Sequence, residues 1–269
     1  LTPGIVHIGL GNFHRAHQAW YTQAAGGGWR ITGVAMRSPA VRDAMAATGG
    51  AYDLGILGSD GLRIERISVH DRLLVTAAEP EAVLSALAAP DVAAVTLTVT
   101  EKGYGLRPEG RLDLEAEAIR EDLATDAPRS AVGLLAHALA RRHADAMPPL
   151  TILSCDNLSG NGRLLRGAVG AFLDAAMLPA AALEGVRFPD SMVDRITPAT
   201  TEETAALMAV AAGRPVDAPV LTESFTEWVI EDAAAGPLPD WAAAGARIVR
   251  DVAPFERRKL LLLNGAHSM

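Results

Sequence analysis

The sequence predicts an α/β fold in which a largely parallel sheet carries flanking helices. Three observations carry this. Short apolar, β-branched runs alternate with helical runs along most of the 269 residues. The first apolar run, Ile5–Ile8, feeds a glycine turn, Gly9-Leu10-Gly11-Asn12. The stretch DVAAVTLTVT (91–100) is almost continuous in apolar and β-branched residues, as a parallel strand covered on both faces must be.

The elements follow in order. A helix is expected from about Arg15. WRITGVAM (29–36) reads as a second strand and PAVRDAMAA (39–47) as a helix. Two strands joined at Ser59-Asp60-Gly61 fill the stretch to Val69, a hairpin signal. EPEAVLSALAA (79–89) is helical, with Glu early in its first turn. After the 91–100 strand come helices near 113–124 and 130–145, the strand PPLTILSC (148–155), and the helix 162–176. RFPDSMVDRITPAT carries two prolines and is expected to be irregular. TEETAALMAVAA (201–212) is helical, 216–252 mixes short strands with turns, and a last helix starts near Phe255.

Composition narrows the function classes. Net charge is −8 and no basic run stands out, which argues against nucleic acid or an anionic membrane as partner. No run reaches the roughly 18 apolar residues of a membrane helix. The opening LTPGIVHIGLGNFH lacks the marks of a signal peptide, and its first residue is not Met, so residues upstream are left open. One cysteine, Cys155, precludes an internal disulfide, and a cytoplasmic location is expected. Of 24 basic residues only Lys102 and Lys259 are lysines. An ammonium loses its proton near neutral pH when desolvated; a guanidinium does not.

Three polar clusters fall just past strand ends, where ligands bind in parallel sheets. They are Gly9–His17, Thr100-Glu101-Lys102-Gly103-Tyr104 and Ser154-Cys155-Asp156-Asn157. Gly9-Leu10-Gly11 lets the backbone approach a pyrophosphate at a helix start, a Rossmann-like arrangement, although His14 stands where the third fingerprint glycine falls. The second strand ends in Met36-Arg37-Ser38 and lacks the usual ribose-binding acid, so NAD and NADP both stay open. Gly9, Gly11, Asn12, Phe13, His14, Arg37, Thr100, Glu101 and Lys102 form the expected cofactor-binding set. His14 and His17, with Cys155 and Asp156, make a poor metal set, and no metal is expected.

The terminal stretch KLLLLNGAHSM starts at Lys259. On a wheel at 100° per residue, Glu256, His267 and Asn264 fall at about 60°, 80° and 140° from it, while the four leucines point all round. A helix apolar on every side is buried, which would desolvate Lys259 and lower its pKa towards that of a general base. Asn264 and His267 would then donate to an oxygen gaining charge. The alternative is a partly exposed lysine beside an Asn-Gly helix stop.

GLGNFHRAHQ (9–18), TVTEKGY (98–104), SCDNLSGNG (154–162), FPDSMVDRITP (188–198), FTEWVIED (225–232) and KLLLLNGAHS (259–268) resemble, in order, the polyol-specific long-chain dehydrogenases. That family includes mannitol 2-dehydrogenase, D-arabinitol dehydrogenase and fructuronate reductase. The resemblance implies zinc-free hydride transfer between nicotinamide and a secondary alcohol carbon of an open-chain polyol. It implies Lys259 as general base, Asn157 and Asn264 as oxyanion donors (Asn161 competes with Asn157), His267 as substrate orienter, Glu256 as proton relay and Asp194 as a site-organising carboxylate. Residues 1–252 are expected to form the dinucleotide-binding domain, and 253–269 the start of a mostly helical substrate domain otherwise absent from this chain, so weak or no turnover is expected of it alone. The rivals are a hexuronate reductase of the same family and a non-catalytic nucleotide-binding module. Oligomeric state is left open, with a monomer plausible.

Overall fold

A computed structural model describes the backbone of residues 4–267 and the side chains of residues 4–261. Its central sheet has five parallel strands: β1 (Gly4–Ile8), β2 (Arg30–Ala35), β5 (His70–Val75), β6 (Val92–Leu97) and β7 (Thr151–Ser154). Their order is β5-β2-β1-β6-β7, so the strand order reverses at β1 and β6. Such a reversal opens a crevice at the carboxyl ends of the two strands. The register brings those ends level: Ile8 pairs with Val34 and Leu97, and Leu97 pairs with Ser154.

Alternation along each strand builds two cores. Val6, Ile8, Val34 and Val95 face one layer, covered by α4 (Pro80–Ala88), α6 (Ala131–Ala144) and α7 (Asn161–Ala175). Ile5, Ile31, Ala35 and Ala94 face the other, covered by α1 (Asn12–Ala16), α2 (Gln18–Ala25) and two small sheets. One is β4-β3-β9, built from β3 (Tyr52–Gly58), β4 (Gly61–Ile67) and β9 (Val220–Glu223). The other is β11-β10-β8, built from β8 (Ser191–Asp194), β10 (Glu227–Glu231) and β11 (Arg247–Val249). Helix α9 (Ala253–His267) leaves the second of these. Among the described residues no helix is long and apolar enough to cross a membrane.

Helices α3 (Ala40–Ala46), α5 (Glu117–Leu123) and α8 (Glu202–Ala212) lie where the periodicity places them. Three expectations differ from the structure, and one strand, β5, is not among those expected. The helix after the glycine turn starts at Asn12, earlier than Arg15, and is broken at His17, whose φ of −116° and ψ of −84° are not helical. Strand β5 opens with the polar run His70-Asp71-Arg72, tolerated because it is an edge strand with Asp71 and Arg72 exposed. Strand β8 lies within RFPDSMVDRITPAT: its prolines flank four residues that pair antiparallel with β10. Finally, Leu260 and Leu261 are 52% and 73% exposed, so the last helix is not buried on every side.

Candidate active site

The three polar clusters converge on one cavity of about 700 Å³ at the β1–β6 switch point. Gly11, Asn12 and Phe13 line it from the glycine turn; Thr98, Thr100, Glu101 and Lys102 from the end of β6; Asp156 and Asn157 from the end of β7. Val193, Asp194 and Arg195 line it from β8, and Lys259 from α9. The last two elements are distant in sequence, and the small β11-β10-β8 sheet is what delivers them.

The turn fits a dinucleotide. Gly9 has φ of +108°, and a Cβ there would lie 2.1 Å from the Thr98 carbonyl oxygen, so only glycine closes this β1–β6 approach. A Cβ on Gly11 would meet only the Gly9 oxygen at 3.8 Å, so this face is open to a ligand. No side chain caps the helix that starts at Asn12. We expect Gly9→Ala to lower the midpoint of thermal unfolding by several degrees, consistent with a loss of roughly 2 kcal/mol or more, and to abolish dinucleotide binding. An unchanged melting curve would show that the turn yields.

Asp156 organises the far wall. It is 8% exposed and accepts from the backbone N–H of Val99 at 3.0 Å and of Thr100 at 2.8 Å, and from the Tyr104 hydroxyl at 2.6 Å. Burial pushes its pKa up and outweighs these hydrogen bonds, which favour the carboxylate. The payment for this tether is visible at Thr100, a β-branched residue held at φ of +65°.

Lys259 projects from α9 towards the same floor. Its Nζ donates to Asn157 Oδ1 at 2.9 Å and to the Val193 carbonyl at 2.7 Å, and lies 3.9 Å from Asp194 Oδ1. The side chain is 14% exposed. Burial lowers its pKa from 10.5, against the opposing pull of Asp194 and Glu227. A neutral amine has two N–H bonds and one lone pair. Both N–H bonds are accounted for here, which leaves the lone pair for a third group in the cavity.

Asn157 and Asn161 have separate places. Asn161 is fully buried and spent on backbone: its Nδ2 donates to the carbonyls of Ser154, Asp156 and Ser191, and its Oδ1 accepts from Ser191 N–H. Asn157 is exposed to the cavity, and with Oδ1 on Lys259 its Nδ2 is left to donate. Glu256 accepts from Gly160 N–H at 3.0 Å, at the start of α7, and lines a smaller cavity of about 70 Å³ shared with Lys259, Asn157 and Ser159.

Three members of the expected cofactor set do not line the large cavity: Gly9, which packs against the Thr98 backbone, Arg37 and His14. Arg37 is exposed at the end of β2, outside it. His14 points inward: its ring stacks on His7 at 3.4 Å and its Nε2 lies 2.9 Å from His70 Nε2. It fills the space behind the turn. His17 turns elsewhere, to the Glu227 carbonyl, so the two histidines do not converge. Asn264 and His267 lie outside the described side chains. Sequence reading missed Thr98, Val193 and Arg195 as lining residues. Arg195 is 6% exposed, donates to the Ala16 carbonyl, and stacks over Trp20 at 5.1 Å. Buried arginine next to the DSMVD run was the available signal only once that run was known to be a strand.

Comparison with known proteins agrees with this geometry. Residues 3–243 match the mannitol dehydrogenase Rossmann domain, and the chain belongs to that family. It is 40% identical to D-arabinitol 4-dehydrogenase of Ralstonia nicotianae over 99% of this chain and 60% of that protein. It is 38% identical to D-mannonate oxidoreductase of Escherichia coli over 100% of this chain and 58% of that protein. The structure superimposes on Pseudomonas fluorescens mannitol 2-dehydrogenase, solved with NAD and D-mannitol, with a TM-score of 0.90 at 36% identity, covering 98% of this chain and 56% of that one. The chain thus spans less than two thirds of the length of these relatives.

Proposed function

We propose that this chain is the dinucleotide-binding part of a nicotinamide-dependent, metal-independent dehydrogenase acting on a secondary alcohol of an open-chain polyol. The observation that carries the reading is the Lys259 amine: desolvated, with its N–H bonds committed to Asn157 and Val193, at the edge of a dinucleotide-sized cavity. Bound nicotinamide supplies the hydride acceptor or donor. The residues of the chain do the rest. Gly11, Asn12 and Phe13, on the turn that Gly9 closes, receive the pyrophosphate side, and Thr100, Glu101 and Lys102 flank the nicotinamide side. The Lys259 lone pair takes the alcohol proton in oxidation, and its ammonium returns it in reduction. Asn157 donates to the developing oxyanion, and Asp194 keeps the lysine oriented. Glu256, in the adjoining small cavity, relays the proton outward. Residues 253–269 open the substrate domain, with Asn264 and His267 completing the oxygen's shell. NAD is the working cofactor; the absence of an acid at Met36-Arg37-Ser38 leaves NADP admitted.

A second reading, a sugar-acid reductase, is favoured by Lys102, a cation on the cavity wall that suits a carboxylate, and by the likeness to the mannonate oxidoreductase. Assay of the full-length protein with mannitol, D-arabinitol and fructuronate, each with NAD(H) and NADP(H), separates the two. Polyol turnover supports the first and fructuronate turnover the second. Turnover of none of them, with intact cofactor binding, would leave a nucleotide-binding module.

A further inference from the structure

Helix α9 carries Lys259 but has a short apolar anchor. Its buried contacts with the β11-β10-β8 sheet are Val252, just before its start, and the partly buried Phe255, against Met192 and Val229. One turn later Leu260 and Leu261 are exposed. Among the described side chains the buried apolar packing of this helix lies before the lysine, and polar ties help to set where its turn lies. Glu256 holds one side through Gly160 N–H. On the other side one guanidinium nitrogen of Arg258 donates to both carboxylate oxygens of Glu227, at 2.5 and 2.6 Å.

We propose that Glu227, acting through Arg258, is a positioning residue for the Lys259 amine. Glu227 sits on β10 opposite Asp194 of β8, so it belongs to the same two strands that carry the Val193 carbonyl to the lysine. Its side chain is 14% exposed, which strengthens the pair relative to a surface contact. Its own carbonyl accepts from His17, so the strand is fixed to the main body at this residue. Arg258 also lies over the Phe255 ring at 5.3 Å, which joins the ion pair to the apolar anchor. Remove the pair, and the described polar ties left to the turn bearing Lys259 are Glu256, the two Lys259 hydrogen bonds and the contact with Asp194.

The inference rests on Lys259 being the base, but its test does not depend on turnover. The chain has two lysines, so 13C-lysine NMR gives two side-chain signals, assigned with Lys102→Arg. The groups facing Lys259 are Asp194 and Glu227, neutral His17, Arg195 on the cavity wall, and Glu256 and Arg258 of its own helix. Charge effects alone would make Glu227→Gln lower the Lys259 midpoint, Arg258→Gln raise it and Glu227→Asp leave it in place. Positioning makes all three move it upward towards 10.5, by about half a pH unit or more for the two glutamines, as the amine regains water. The double variant should shift no further than either single one. The Lys102 signal and the melting temperature of the milder Glu227→Asp protein check that the fold is kept. Shifts of opposite sign, or no shift in Glu227→Asp and Glu227→Gln, overturn the proposal. Loss of activity of these variants in the full-length protein, with an intact Lys259 titration, would instead count against Lys259 as the base.

Discussion

Lys259→Ala is expected to cut hydride-transfer turnover of the full-length protein by about 1,000-fold, within the range general-base removal produces, while leaving nicotinamide cofactor affinity within about twofold, since uniform binding would be untouched. The split follows from where the lysine sits. Its Nζ contacts Asn157, Val193 and Asp194, whereas the glycine turn that fits the pyrophosphate lies across the cavity. The same geometry sets a pH dependence. Oxidation needs the free amine, so its rate rises with pH and levels off above the Lys259 midpoint, which burial holds below 10.5. Reduction needs the ammonium and runs better on the acid side. In the alanine variant this limb disappears. Steady-state rates from pH 6 to 10 and a fluorescence titration of reduced cofactor measure both halves. A variant that keeps its activity, or one that loses cofactor, would make the lysine structural.

The catalytic lysine candidate was legible in the sequence because its chemistry is carried by residue type: one of two lysines, beside a run of leucines. The central sheet was legible for a similar reason, since buried parallel strands such as Val92–Leu97 write themselves as apolar runs. What stayed hidden depended on pairing. Four residues, Ser191–Asp194, become a strand only because Glu227–Ile230 lies against them, and that pairing is what delivers Asp194 and Arg195 to the cavity. The degenerate position of the glycine fingerprint misled in an instructive way. His14 stands where a glycine would allow close helix–strand packing, and it reads as a ligand-facing polar residue. In the fold it solves the same packing problem by stacking flat on His7. The exposed Leu260 and Leu261 show the limit of the wheel: it reports apolar faces and says nothing about what covers them.

That histidine layer predicts marked acid lability. His7, His14, His17 and His70 are each at most 2% exposed. Burial drives His7, His17 and His70 from 6.5 down to about 3, and pushes His14 down as well; neighbouring imidazoles add to the effect at His7 and His14, and nearby cations at His14, His17 and His70. Their contacts are those of neutral rings: His14 Nε2 meets His70 Nε2 at 2.9 Å, which requires one nitrogen to lack a proton. The sign follows from the proton count. Below pH 6.5 the unfolded chain binds protons at these four positions and the native state does not, so stability falls as pH falls, down to about 3. Each group contributes about 1.4 kcal/mol per pH unit once well below 6.5, so four approach roughly 5 kcal/mol per unit. A domain with a typical total of about 5–15 kcal/mol cannot absorb two such units. Urea midpoints should therefore hold between pH 8 and 7 and collapse between pH 6 and 4. His70→Gln should lessen the steepness by about one proton if it folds, at the cost of the contact to His14. His17→Gln probes a ring outside the stack, bonded to the Glu227 carbonyl, and should do the same. Stability that stays flat from pH 7 to pH 4.5 would mean the buried rings take up protons in the native state, and that the layer behind the glycine turn opens to water.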